Sequence, residues 1–120
     1  VPKWVTQKYP DILVTDQHGK KMKAGGRHTF CPHSPNYRRL AVELARQIAT
    51  RYGHHPGLKI WHIGNEYGGG NTGGRCYCNL CESAFRDWLK QRYGSLENLN
   101  QRWNTAFWSH TYTSWNEVEA

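Results

Sequence analysis

The chain has 120 residues and a formal net charge of +7, with 16 Lys and Arg against 9 Asp and Glu. This length suits a single domain with a modest core, and the hydrophobic content of 38% is low. No apolar run reaches the ~20 residues that cross a bilayer, and no signal-peptide pattern opens the chain. These features predict no membrane partner and a cytoplasmic location.

The positive charge and the 13% of aromatic residues point to nucleic acid or a sugar ring as partners. The basic residues are scattered, with no run longer than Lys20-Lys21 or Arg38-Arg39, so a solvated basic surface is favoured over nucleic acid binding. The chain opens with Val1 rather than Met, which predicts that it was cut from something longer.

Residues 1–36 are predicted to be a loop region, punctuated by proline and glycine, in which residues 12–14 could make a short strand. Ser34 and Pro35 then supply a helix cap and a first-turn proline. The apolar residues that follow recur at helical spacing and predict a helix closed by Gly53. These apolar residues are Leu40, Ala41, Leu44, Ala45, Ile48, Ala49 and Tyr52.

A strand is predicted next, because an apolar run covers residues 58–64 after a turn at residues 54–57. Residues 37–67 therefore hold a helix and then a strand, which is half of a βα repeat and indicates an α/β protein. One strand with three helices cannot close a sheet. The fold is thus expected to be incomplete, with open edges that something else should cover.

The second half of the chain is predicted to be helical. A loop over residues 68–82 leads into helices over residues 79–105, and an aromatic, polar tail covers residues 106–120. The first of these helices stops at Gly94, and Ser95 caps the next one. The whole chain is predicted to be one partial domain.

Glu66 stands where the predicted strand meets a glycine-rich loop, next to the amide of Asn65 and between Trp61 and Tyr67. Barrel enzymes place a general acid or base at such a position, held by a strand and open on one side. A solvated loop glutamate explains the same pattern equally well. The residue types and their spacing leave both interpretations open.

Cys76, Cys78 and Cys81 fall within one loop, and Cys31 is the fourth cysteine. Four thiolates, three of them clustered, match a tetrahedral zinc site of the structural kind, with no position left for substrate. Disulfides are the alternative, but the C-x-C spacing makes unstrained bridges awkward and no secretion signal is visible, so zinc is favoured. The two histidines that flank Cys31 could substitute as ligands.

Several motifs of the chain occur together in one known family. N-E-Y-G closes the predicted strand, R-C-Y-C-x-x-C follows it, and the next motif is A-F-R-x-W-L-x-x-R-Y-G-S-L-E-x-L-N-x-x-W-x-T-A-F-W-S. G-G-R-H and C-P-x-S-P-x-Y-R precede them. These motifs span nearly the whole chain and strongly resemble the family 42 glycoside hydrolases. The resemblance implies a retaining β-galactosidase built on a (β/α)8 TIM barrel.

The resemblance also implies roles for individual residues. Glu66 matches the family's acid/base at the end of the fourth barrel strand, and Asn65 matches the residue that binds the sugar's 2-hydroxyl. Arg27 and Trp108 match substrate-binding residues, and the four cysteines match a structural zinc site present in many members. Without the resemblance, a surface loop cation and a core aromatic are the preferred interpretations of Arg27 and Trp108.

A retaining glycosidase needs a second carboxylate, the nucleophile, ~5–5.5 Å from the acid/base. In the family this residue lies on a much later strand, and the other acids of this chain are poor substitutes in loops, on helix surfaces or in the tail. The expected fold is therefore an α/β, partial TIM-barrel segment, about strand 4 with its flanking helices and a structural zinc loop. The nucleophile is expected to be absent from it.

The sequence thus predicts the acid/base segment of an enzyme that hydrolyses terminal β-D-galactosides, with zinc as a structural cofactor. The 120-residue chain by itself is expected to be inactive or very weak. The alternative is a small zinc-stabilised module that binds sugar or nucleic acid without catalysis. Self-association, or pairing with the missing barrel remainder, would cover its open strand.

Overall fold

A computed structural model describes residues 1–65 and 75–119 of the chain. The chain divides into two compact units, Val1–Tyr77 and Cys78–Ala120. The α-helices of the described part are α1 (Lys3–Lys8), α2 (Pro35–Tyr52), α3 (Asn79–Tyr93) and α4 (Leu96–Trp103). Short 3-10 helices cover Pro10–Ile12, Phe107–Ser109 and Trp115–Glu117. None of these helices combines the length and the apolar character that a membrane span requires.

The predicted loop region, residues 1–36, contains a helix that the sequence pattern did not indicate. α1 buries Val5, and Ile12, at the end of the first 3-10 helix, is fully buried. Pro2 and Pro10 each stand at the start of a helical segment. Proline is tolerated there because its fixed φ suits the first turn and its missing N–H has no helical partner. The same prolines that predicted a loop therefore begin two short helices.

The short strand predicted at residues 12–14 is reduced to isolated antiparallel bridges. Leu13 pairs with Phe30, and Thr15 pairs with Lys21 across a tight turn. Asp16 closes that turn, since its carboxylate accepts the backbone N–H groups of two residues further along. The extended backbone after Ile12 thus lies between two neighbouring segments of the first unit.

The helix predicted between Ser34 and Gly53 is confirmed as α2. Ser34 caps it, because the Ser34 hydroxyl accepts the N–H of Tyr37 at 3.0 Å. Gly53 follows the last helical residue with a right-handed φ of −57° rather than a left-handed one. A Cβ at this position would lie 2.5 Å from the carbonyl oxygen of Ala49. Close approach, and not a positive φ, explains why glycine occurs there.

Most of the apolar face of α2 is not covered by the described part of the chain, and only its first residues, Leu40 and Ala41, are partly buried. No residue of α2 is buried, and Leu44 retains 60% of its exposure. Residues 58–64, predicted as a buried strand, pair with no neighbour among the described residues, and Ile60 and Ile63 are largely exposed. The predicted strand is therefore not confirmed among the described residues, because a strand needs an adjacent strand to satisfy its backbone N–H and C=O groups.

The second unit is built on α3 and α4, whose predicted ends are confirmed. Gly94 ends α3 with a φ of +75°, and the Ser95 hydroxyl accepts the N–H of Asn98 at 3.1 Å to begin α4. Leu89, Leu99 and Val118 are fully buried and form the core of this unit. Partly buried side chains pack around them from Phe85, Tyr93, Leu96, Tyr112 and Trp115.

The tail over residues 106–120 contributes to this core rather than trailing from it. Val118 packs with the two leucines, and the guanidinium of Arg86 donates to the carbonyl oxygens of Val118 at 2.8 Å and Asn116 at 3.2 Å. Charged donors make strong hydrogen bonds to carbonyl acceptors. Arg86 therefore fastens the tail to α3, a contact that the aperiodic tail sequence could not reveal.

Candidate functional site

The four cysteines of the chain form one cluster. The sulfur atoms of Cys31, Cys76, Cys78 and Cys81 all lie within 4.8 Å of one another. Cys31 and Cys81 are buried, and the other two are partly buried. The set predicted from the sequence is therefore brought together, with four thiols that could hold a metal ion.

Backbone hydrogen bonds hold two of these cysteines against one short extended segment. The N–H of Cys31 donates to the carbonyl oxygen of Ile12 at 2.7 Å. Three residues further on, the N–H of Thr15 donates to Sγ of Cys76 at 3.4 Å, and the carbonyl oxygen of Thr15 accepts the N–H of Tyr77 at 2.9 Å. Thr15 therefore holds both Sγ of Cys76 and the backbone that follows it.

Cys78 and Cys81 stand at the beginning of α3. Cys78 is the N-cap residue, and its carbonyl oxygen accepts the N–H of Cys81 at 2.9 Å and of Glu82 at 3.0 Å. The N-terminus of a helix carries partial positive charge, which stabilises thiolates. The first helical turn thus sets the spacing of these two sulfur atoms and favours their charged form.

The chemistry and spacing of the cluster fit a thiophilic metal. A tetrahedral ion with Zn–S bonds of ~2.3 Å would hold its sulfur ligands about 3.8 Å apart. The upper limit of 4.8 Å in this structure needs only a small closure to reach that arrangement. In the described part of the chain the cluster consists of cysteines, and His28 and His33, which flank Cys31, are not members of it.

His28 contacts the backbone of Asn65. The sequence suggested His28 only as a substitute metal ligand beside Cys31. Nε2 of His28 lies 2.9 Å from the backbone carbonyl oxygen of Asn65. Because a carbonyl oxygen only accepts, Nε2 carries the proton and donates it. His28 has a φ of +50°, an uncommon conformation for a residue with a side chain. Glu66, the predicted acid/base, lies outside the described residues.

Arg27 directly precedes His28 and is exposed. The contact between His28 and Asn65 therefore brings the Arg27 loop to the end of the segment that leads to Glu66. No signal in the single sequence distinguishes His28 as the residue that makes this contact, since its partner is a backbone atom 37 positions away.

Trp108 is exposed on the second unit. It retains 77% of its exposure, and its ring makes an edge contact with Phe107 at a centroid distance of 5.5 Å. This exposure contradicts the alternative of a core aromatic. Trp108 and Ser109 both have a φ of +58°, and the left-handed conformation costs an ordinary residue about 1–2 kcal/mol. Such strain is typical of sites where function requires a particular backbone geometry.

Several carboxylates outside position 66 already have local partners. The Arg46 side chain donates to Glu43 and lowers its pKa to about 2. The N–H of Lys20 lowers the pKa of Asp16, and the Thr113 hydroxyl lowers the pKa of Glu117. A general acid needs a raised pKa to keep its proton near neutral pH. These three carboxylates therefore suit structural roles and not general acid catalysis.

Comparisons with known proteins cover the whole chain. The model of glycoside hydrolase family 42, described as Beta-galactosidase, matches residues 1–120. The curated β-galactosidase BgaA of Planococcus sp. strain SOS Orange is 50% identical over 119 residues, which are 99% of this chain and 17% of that protein.

Solved structures agree with this match. The β-galactosidase from Bacillus circulans sp. alkalophilus is 54% identical with a TM-score of 0.88, covering 99% of this chain and 17% of that one. The cold-adapted β-galactosidase from Rahnella sp. R3 is 46% identical with a TM-score of 0.90, covering 100% and 17%. The chain thus spans 17% of the length of these relatives. It belongs to glycoside hydrolase family 42, the β-galactosidase family.

Proposed function

We propose that this chain carries the acid/base part of a retaining β-galactosidase that hydrolyses terminal β-D-galactosides. The observation that carries the proposal is the family match over residues 1–120, which includes the Asn65-Glu66 pair. Relatives covering 99% of the chain are named β-galactosidases. The contact of His28 with Asn65 supports it further, because it fixes the backbone directly before Glu66.

In this proposal Glu66 protonates the glycosidic oxygen as the bond breaks and then deprotonates the water that releases the sugar. Asn65 binds the sugar's 2-hydroxyl, an interaction that strengthens in the oxocarbenium-like transition state. Arg27 contacts the substrate from the neighbouring loop. Trp108 provides an aromatic face for the sugar, and its exposure of 77% leaves that face accessible.

The nucleophile is proposed to lie outside these 120 residues. A retaining mechanism requires a second carboxylate ~5–5.5 Å from the first. Asp11 accepts hydrogen bonds from Ser34 and Asn36, and Glu43 and Glu117 are engaged by residues of their own segments. Local partners of this kind support a structural use of these acids.

The cysteine cluster is proposed to bind one structural zinc ion through Cys31, Cys76, Cys78 and Cys81. The support is the set of four sulfur atoms within 4.8 Å of one another, which matches the ligands of a closed tetrahedral site. A closed site has no position for substrate, so the ion takes no part in the proton transfers.

The chain is also proposed to be a segment of a TIM barrel around its fourth strand, residues 58–64. The exposed apolar side chains of Ile60, Ile63 and Leu44 support this, because a barrel strand and its outer helix bury such residues. The remainder of the barrel, or a second copy of the chain, would supply the missing neighbours.

A chimera tests the function directly. The 119 matched residues of this chain replace the corresponding segment of the Planococcus β-galactosidase BgaA, to which they are 50% identical. We expect the chimera to hydrolyse an aryl β-galactoside, and Glu66→Gln to lower kcat by about 10²–10⁴-fold. Glu43→Gln is the matched control and should leave kcat unchanged, since Glu43 is engaged on α2. An active Glu66→Gln chimera would disprove the role of Glu66.

The 120-residue chain alone should show no turnover of the same substrate. Turnover that is abolished by Glu66→Gln but survives mutation of every other carboxylate would contradict the two-carboxylate proposal. It would mean that one carboxylate of this chain suffices.

A further inference from the structure

We propose that Asn100 is a positioning residue for Trp108. Its side-chain amide closes the loop of residues 105–112 and so fixes the direction in which the indole ring meets a sugar. The proposal rests on the proposed role of Trp108 as a substrate contact, and it assigns to Asn100 a task that the side chain performs without touching substrate.

The side chain of Asn100 binds both ends of this loop. At one end Oδ1 accepts the hydroxyl of Thr105 at 2.6 Å. At the other end Oδ1 accepts the N–H of Tyr112 at 3.0 Å while Nδ2 donates to the carbonyl oxygen of Tyr112 at 2.8 Å. The amide thus pairs with one backbone residue through both of its polar groups, as a neighbouring strand would.

Asn100 and its partners Thr105 and Tyr112, which together form a clamp on the loop, are attached to the core of the second unit. Asn100 lies on α4 next to Leu99, which is fully buried. Tyr112 packs against the cluster of Leu89, Leu99 and Val118, and Thr105 is itself buried. The two ends of the loop are therefore attached to the buried core of the unit.

The tip of the loop needs such support. Trp108 and Ser109 both have a φ of +58°, so two consecutive residues with side chains adopt the left-handed conformation. Trp108 is exposed and cannot hold this geometry by burial. Strained conformations persist where the surroundings over-determine them. Here the hydrogen bonds of Asn100 restrict the span within which residues 106–111 can move.

A fixed loop matters for a stacking contact. Ordering a mobile aromatic side chain and its loop on binding subtracts from the affinity that stacking provides. With Asn100 in place this ordering precedes the arrival of the sugar, so loss of Asn100 should weaken binding without removing any group that contacts the ligand. Asn100 differs in this respect from Trp108 itself.

The test uses the 120-residue chain labelled with 5-fluorotryptophan and observed by fluorine NMR. Trp108→Phe identifies the Trp108 resonance among those of the 6 tryptophans. We expect Asn100→Ala to move or broaden this resonance toward that of an unfolded chain while the resonance of Trp88 on α3 stays in place. Gln101→Ala, an exposed amide on the same helix, is the matched control and should leave both unchanged.

Amide hydrogen exchange supplies a second measurement. The Tyr112 N–H should exchange at least about tenfold faster in Asn100→Ala, which removes the Oδ1 atom that accepts this N–H. A Trp108 resonance that is unchanged in a folded Asn100→Ala chain would overturn the proposal. So would a Tyr112 amide that exchanges in the original chain at the rate of an unprotected one, a measurement that needs no variant to fold.

Titration with methyl β-D-galactoside separates this proposal from the proposed function. Movement of the Trp108 resonance by the sugar, with a dissociation constant several-fold higher in Asn100→Ala, supports both proposals. If the sugar does not change the chemical shift of the Trp108 resonance in the original chain, the substrate contact is contradicted, and so is the positioning role. The resonance and exchange changes caused by Asn100 variants would then identify a purely structural clamp.

Discussion

The carboxylate of Asp11 accepts a hydrogen bond from the hydroxyl of Ser34, the residue that caps α2. The same carboxylate accepts Nδ2 of Asn36 at 3.0 Å. Burial raises the pKa of Asp11, but the hydrogen bonds from Ser34 and Asn36 outweigh burial and hold the pKa below its usual value. Asp11 thereby ties the N-terminal segment to the start of a helix that lacks an acidic residue in its first turn.

This arrangement predicts a pH-dependent loss of stability. A carboxyl group whose folded pKa is lowered stabilises the fold above its unfolded pKa of ~3.9, and this stabilisation disappears as the pH falls through the folded value. We expect Asp11→Asn to lower the free energy of unfolding by about 1–3 kcal/mol at pH 7. The difference from the original chain should shrink as the pH is lowered below ~3.9, as measured by urea unfolding.

Asp87→Asn is the control for Asp11, since it also removes one carboxylate. The Asp87 side chain is 67% exposed and pairs with Lys90 at 3.5 Å on the surface of α3. Exposed ion pairs contribute little to the free energy of unfolding. If the two substitutions lower the free energy of unfolding equally at pH 7, the contact between Asp11 and Ser34 does not stabilise the fold more than an exposed ion pair does.

The cysteine cluster predicts a bound metal. Elemental analysis of chain purified without chelator should find close to one zinc per chain, because the four sulfur atoms lie within 4.8 Å of one another. Cys81→Ser should abolish stoichiometric zinc, and chelator should lower the unfolding temperature of the original chain. His33→Ala should retain the zinc, which excludes histidine as a substitute ligand. Metal-free protein of unchanged stability would contradict the assignment.

The core of the second unit predicts a contrast between two leucines. Leu99 is fully buried and Leu44 is 60% exposed. Leu99→Ala should lower the free energy of unfolding by about 2–5 kcal/mol, because it removes buried methyl groups and leaves a cavity. Leu44→Ala should change the free energy of unfolding by less than about 0.5 kcal/mol in the isolated chain. A large effect of Leu44→Ala would show that another copy or segment covers α2 in solution.

Salt dependence separates a sugar site from a nucleic-acid site. Binding of methyl β-D-galactoside to the chain should be insensitive to salt and should be lost in Trp108→Ala. Trp88→Ala is the control, since this tryptophan on α3 is also half exposed. Oligonucleotide binding that weakens steeply as salt increases would instead favour the basic binding module, because it would report the release of counterions from phosphates.

Local signals were sufficient for the longer helices. Ser34 and Ser95 each accept a backbone N–H three residues further on, as their positions before an apolar period predicted. Gly94 ends α3 as expected. These features depend on residues within one helical turn, so the order of the residues is enough to reveal them. α1 escaped detection because its 6 residues are too few to show a period.

Long-range contacts were less accessible. The tail looked aperiodic, yet Val118 completes a core with Leu89 and Leu99. Residues 58–64 had the composition of a strand, but pairing requires a neighbour, and the described residues supply none. His28 contacts the backbone of Asn65, and Asn100 contacts the backbone of Tyr112. A sequence carries no pattern for such contacts, because every residue has the same backbone acceptor.

The sequence by itself determined the ends of α2, α3 and α4, the spacing of the cysteines and, through its motifs, the family. Each of these follows from residue identity and short spacing. The tertiary structure decided that the four sulfur atoms come together and that Trp108 is exposed on a strained loop. It also decided that the described residues leave most of the apolar face of α2 uncovered. Burial and contact depend on the path of the whole chain, because the hydrophobic effect acts between segments wherever folding brings them together.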